Sequence, residues 1–65
     1  MKIMVNGEPR EVASATVAEV LVELGYGEAR VATALDGDFV PARTRGAAAL
    51  APGSALEIVA PMQGG

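Results

Sequence analysis

Cysteine and histidine are both missing from this 65-residue chain. Their absence removes disulfide stapling, Cys or His metal sites, a thiol nucleophile and every dyad or triad that depends on imidazole. Aromatics are scarce as well. Tyr26 and Phe39 stand alone and there is no tryptophan, so a core must be built from Val, Leu, Ile, Ala and Met. Positive charge is short: Lys2, Arg10, Arg30, Arg43 and Arg45 face eight carboxylates, for a net charge of -3. That balance argues against a nucleic-acid partner, whose binding depends on neutralising phosphates with a basic patch. Long apolar runs are absent too. Only Ile3, Met4 and Val5 follow Lys2 before the polar Asn6-Gly7, which gives no signal peptide, and nothing approaches the ~20 apolar residues that span a bilayer. The composition therefore predicts one small, acidic, soluble cytoplasmic domain with no membrane partner. A chain of this length buries only about 60% of the surface its unfolded form exposes, so its core must be modest.

What is present reads as alternating strands, tight turns and one helix. Met1, Ile3 and Val5 fall on one side of an extended segment, with Lys2 and Met4 on the other, the pattern of a half-buried strand. Asn6-Gly7 supplies the two positive-φ positions of a type I′ turn, and Pro9 to Val12 is the return strand. Thr16-Val17-Ala18-Glu19 has the form of a capping box, with the Thr16 hydroxyl accepting from the Glu19 N–H and the Glu19 carboxylate reaching back to the Thr16 N–H. Val17, Val20, Leu21 and Leu24 then make one apolar stripe, and Gly25 sits where a left-handed cap residue is wanted. Glu19 and Glu23 belong to the wet face. As an i, i+4 pair they invite an acid/base reading, but nothing nearby would raise a pKa by burial, so they read as solvated surface.

Val31 to Leu35 predicts a further strand, Asp36-Gly37 a second hairpin turn, and Phe39-Val40 a short strand stopped by Pro41. Arg43 and Arg45 lie in a polar stretch and read mainly as exposed surface, with contact to a phosphate or an acidic partner as the functional alternative. Gly46-Ala47-Ala48-Ala49-Leu50 is too short for a stable helix of its own. Pro52-Gly53 suits the centre of a type II turn, and Ala55 to Ala60 is the last strand, with Leu56 and Ile58 opposite Glu57 and Val59. The order predicts an α+β fold, a domain over residues 1–60 with the helix lying on one sheet face. The other face stays bare. Met4, Phe39 and Val59, if they populate it, form a candidate docking face.

The chain ends in Pro61-Met62-Gln63-Gly64-Gly65, which we read as a flexible tail over residues 61–65. Glycine lacks a Cβ, so a Gly-Gly end fits a narrow channel where a side chain would collide. Five extended residues reach about 17 Å, at roughly 3.3 to 3.6 Å each. Pro61 biases Ala60 toward an extended conformation and so directs the tail outward. Taken alone, the same ending fits a frayed terminus equally well.

Together these residues resemble the ThiS family, the ubiquitin-like β-grasp sulfur carriers of thiamin biosynthesis, within the wider group that includes the MoaD carriers. The resemblance runs from Val5-Asn6-Gly7-Glu8 through Thr16-Val17 and Val31-Ala32-Thr33-Ala34-Leu35-Asp36-Gly37, with Phe39-Val40-Pro41, to Glu57-Ile58-Val59-Ala60 and the Pro-Met-Gln-Gly-Gly ending. Asp36 stands where the family often has Asn, and Gly46 to Ala49 is plainer than expected. The resemblance implies a mixed sheet of four to five strands. It further implies that the Gly65 carboxylate is the modified group, adenylated by a ThiF-type adenylyltransferase and converted to a thiocarboxylate. Sulfur would come from a cysteine desulfurase or similar donor and pass to a ThiG-type thiazole synthase. Gly64 would give clearance, while Pro61, Met62 and Gln63 form the segment that partners hold. The chain itself would be no enzyme and bind no cofactor or metal, since ATP and Mg belong to the activating partner. Three alternatives use the same features: a carrier feeding molybdopterin or another sulfur-containing metabolite, a ubiquitin-like protein modifier, and a TGS-like RNA-binding module, against which the acidic charge argues.

Overall fold

The computed structural model describes residues 1–27 and 29–60. Five strands, one α-helix and one 3₁₀ helix follow in the order β1 (Lys2–Val5), β2 (Glu8–Glu11), α1 (Val17–Glu23), β3 (Ala32–Leu35), β4 (Asp38–Val40), the 3₁₀ helix Ala42–Ala47, and β5 (Ala55–Val59). The sheet order is β2-β1-β5-β3-β4. β1 runs parallel to β5, and every other neighbouring pair is antiparallel. This is the mixed β-grasp sheet that the element order and the resemblance imply.

Both hairpins turn where their dipeptides demand. Asn6 and Gly7 have φ of 51° and 82°, and Asp36 and Gly37 have 51° and 89°. All four values are left-handed, as a type I′ turn requires, and Asn, Asp and Gly tolerate that region best. Pro9 falls on β2 at the sheet edge, where a missing N–H costs least. Pro52-Gly53 turns as expected: the Ser54 N–H donates to the Ala51 carbonyl at 2.9 Å, and Gly53 has φ of 84°.

The helix starts at Thr16, whose hydroxyl accepts from the Glu19 N–H at 3.2 Å. Only half of the expected reciprocal bond forms as predicted. The Glu19 carboxylate takes the Ala15 N–H at 2.9 Å instead of the Thr16 N–H, and Thr16 lies opposite Ala49 in an isolated bridge bonded through Val17 to Ala48 and Leu50 to Ala15. At the other end Gly25, with φ of 94°, completes a Schellman closure: the Tyr26 N–H reaches the Leu21 carbonyl at 2.7 Å and the Gly25 N–H reaches that of Val22 at 3.1 Å. Val17, Val20 and Leu21 face inward and are buried.

They meet Ile3, Val5, Leu56 and Ile58 from the centre of the sheet, with Val12 and Leu50 closing the sides. The fully buried members are aliphatic, as the shortage of aromatics requires, and Tyr26 packs only at the margin. One element differs from expectation. Residues 42–47, read as a polar stretch, wind into a 3₁₀ helix held through the Thr44 N–H to the Pro41 carbonyl at 3.0 Å, and the following Ala48 N–H reaches the Arg45 carbonyl at 3.3 Å.

Candidate functional site at the end of the last strand

The strand that leads to the Gly-Gly ending occupies the middle of the sheet. β5 alternates as predicted, with Leu56 and Ile58 buried and Ala55, Glu57 and Val59 exposed. On one side it pairs with β3, as Ala32 to Val59 and Thr33 to Ile58. On the other side the backbone of β1 reaches only as far as Leu56, whose carbonyl accepts from the Asn6 N–H at 2.9 Å. The next partner of β5 is a side chain. Asn6 Oδ1 accepts from the Ile58 N–H at 2.8 Å and Asn6 Nδ2 donates to the Ile58 carbonyl at 3.2 Å. The candidate site residues Pro61, Met62, Gln63, Gly64 and Gly65 follow directly and lie outside the described residues.

Beside Val59 the surface opens into a groove of about 570 Å³, lined by Ala29, Val31, Ala32, Ala42 and Val59 together with Arg30 and Arg45. The reading of Arg45 as simple exposed surface is corrected here. Its Nε donates to Thr33 Oγ1 at 3.2 Å and its Nη2 donates to the Val31 carbonyl. Thr33, 2% exposed, in turn donates its hydroxyl proton to the Val40 carbonyl at 2.8 Å. The guanidinium therefore ties the 3₁₀ helix to β3 and shapes the groove floor. The signal for this was a threonine on the inward face of a strand, which needs a polar partner once buried.

Met4, Phe39 and Val59 do share the face opposite the helix, where Phe39 and Val59 are 69% and 63% exposed. Register separates them. Val59 lies beside Ala32, Phe39 beside Ala34 with Glu57 next in the row, and Met4 beside Ala55. Four steps of strand from Ala55 to Val59 span about 13 Å, so Val59, Phe39 and Met4 sit in three successive rows, with Glu57 in the middle one, and do not form one continuous apolar patch.

Elsewhere the side-chain chemistry is structural. Glu23 accepts from the Ser14 hydroxyl at 2.6 Å and from the N–H groups of Ala13 and Ser14 at 3.0 Å. The Ser14 hydroxyl first, and then the Ala13 N–H, hold this carboxyl below its ordinary range. That direction stabilises the anion and is opposite to what a general acid needs. Among the described residues, no three carboxylates gather as cation ligands would, and no helix is long and apolar enough to cross a membrane.

Comparison with known proteins agrees with this geometry. The model of the ThiS family matches residues 3–65. The crystal structure of the thiamine biosynthesis protein ThiS from Geobacter metallireducens is similar over 100% of both chains, at 32% identity and a TM-score of 0.83. No curated protein matches. With a family match running from the first strand through Gly65, and a solved ThiS superposing over its whole length, the chain belongs to the ThiS family.

Proposed function

We propose that this chain is a sulfur carrier of thiamin biosynthesis and that its reacting group is the Gly65 carboxylate. One observation carries the reading: the family match includes the terminal Gly64-Gly65 as well as the β-grasp body. The chemistry explains the division of labour. A carboxylate resists nucleophiles because its charge is delocalised and oxide is a poor leaving group. In the proposed reaction a carboxylate oxygen of Gly65 attacks the α-phosphorus of ATP, and pyrophosphate leaves. A sulfur nucleophile then attacks the acyl carbon of the adenylate and AMP leaves: hydrosulfide gives the thiocarboxylate directly, whereas a donor's persulfide gives an acyl disulfide, whose S–S bond a thiol cleaves to release the thiocarboxylate and leave a disulfide.

A ThiF-type adenylyltransferase supplies the nucleotide site and magnesium, a cysteine desulfurase or similar donor supplies sulfur, and a ThiG-type thiazole synthase takes it. The carrier contributes no general acid or base, which is consistent with a chain that has no Cys or His. Val59 is the part of the bare face suited to docking the adenylyltransferase, since it is exposed and lines the groove where β5 gives way to the terminal segment.

Incubation with a ThiF-type enzyme, ATP and a sulfur source should shift the intact mass by one oxygen-to-sulfur exchange, and fragmentation should place the change on Gly65. A mass that stays fixed with an enzyme active on its own carrier contradicts the proposal. Recovery of the chain in isopeptide linkage to lysines would favour a protein modifier instead.

A further inference from the structure

We propose that Asn6 is a positioning residue for the terminal segment: its carboxamide replaces the strand partner that β5 has run out of, and so fixes the point from which residues 61–65 depart. The functional half of this inference rests on the sulfur-carrier reading. From Ser54, just before β5, the even-numbered carbonyls turn toward β1, Ser54 accepting from the Met4 N–H at 2.8 Å and Leu56 from the Asn6 N–H at 2.9 Å. Ile58 is next in the series. By then the β1 backbone has turned away, because Asn6 and Gly7 carry φ of 51° and 82° and lead into β2. The Asn6 side chain fills the gap by meeting both the N–H and the carbonyl of Ile58. A carboxamide offers the same donor and acceptor as a peptide unit, so it adds one rung to the ladder without any main chain. With Val59 paired to Ala32 on the other edge, β5 is held from both sides to the end of its length.

A second residue in the same setting explains the choice of side chain. Asp36 has the same φ of 51° and opens the other hairpin, and its Oδ1 accepts from the Ala55 N–H at 2.8 Å. Here the Ala55 carbonyl is already taken by the Asp36 N–H at 2.8 Å, so an acceptor alone suffices. At Ile58 both groups need a partner, and only an amide supplies both. The two turn residues thus hold opposite ends of one strand, Asn6 the end next to the terminal segment and Asp36 the end remote from it.

When the end of β5 is already fixed, that part of the chain need not be ordered again as the protein docks on a partner. Losing the Asn6 rung should therefore weaken productive encounter and leave the chemical step unchanged. Asn6→Gly and Asp36→Gly both keep a residue that accepts positive φ, and each removes the hold on one end of β5. Activation by a ThiF-type adenylyltransferase and amide exchange by NMR are compared for wild type and both variants. Asn6→Gly should raise the KM for the carrier about three- to tenfold with kcat unchanged, and speed exchange of the Ile58 amide at least about tenfold. Both variants should lower Tm alike, but Asp36→Gly should leave that KM alone. Should Asn6→Gly not fold at the assay temperature, Asn6→Asp carries the test, since it keeps one acceptor but turns a second oxygen on the Ile58 carbonyl. An unchanged KM, an unchanged Ile58 exchange rate, or an equal rise in KM for both glycine variants overturns the proposal. Failure of the wild type itself to be activated would instead sink the carrier reading.

Discussion

The carboxylate of Glu23 gathers the Ser14 hydroxyl and two backbone N–H groups at the turn before the helix. Its pKa is depressed in the fold, so the contribution is fully present above the ordinary carboxylate pKa and is lost as pH falls through the lowered folded value. Glu23→Gln should lower Tm by a few degrees at neutral pH, and the gap from wild type should shrink as pH falls below the ordinary carboxylate range and the native carboxyl is itself protonated. Thermal melts across that range check it; a constant gap would mean that charge plays no part. Glu23 was legible only as surface, since its partners lie nine and ten residues upstream and no periodicity links them. Asn6 and Asp36 were half legible. Their backbone role follows from the Asn-Gly and Asp-Gly pairs, but where each side chain lands depends on which strand lies alongside, a matter of sheet order.

At the scale of elements, the helix is the best specified in sequence. Its cap, its stripe and its stopping glycine all agree, and the stripe buries Val17, Val20 and Leu21 under the sheet. Val20→Asp would set a charge at a position with 0% exposure. An unpaired buried charge costs on the order of 3 to 5 kcal/mol, a large share of the roughly 5 to 15 kcal/mol that holds a small domain together. The variant should be largely unfolded by circular dichroism at about 37 °C, and a wild-type melting curve would overturn the stripe assignment. The 3₁₀ helix of residues 42–47 was not legible because Ala-Arg-Thr-Arg-Gly-Ala has no apolar period. What holds it is Arg45 reaching Thr33 and Val31 on another element, a long-range tie that local reading does not reveal.

The whole molecule presents a covered face, a bare face, and a central strand that carries the terminal segment. Two-layer architecture and the bare face followed from length and element order; the spacing of Met4 from Val59 did not, because it depends on the register of strands distant in sequence. Gly64→Val tests the segment without touching the body. A β-branched residue there should abolish activation by a ThiF-type enzyme while leaving Tm within about 1 °C of wild type, because a channel shaped for glycine rejects branching at Cβ. Normal adenylation of this variant would contradict the threading argument.

Placing β5 between β1 and β3 also bears on synthesis. Leu56 must slot in beside Val5, made 51 residues earlier, so a fragment that stops before Ala55 has two hairpins and no centre to join them. A chain cut short of Ala55 therefore lacks the middle of the sheet as well as its last residues, and the bare face that carries Val59 is not assembled without it.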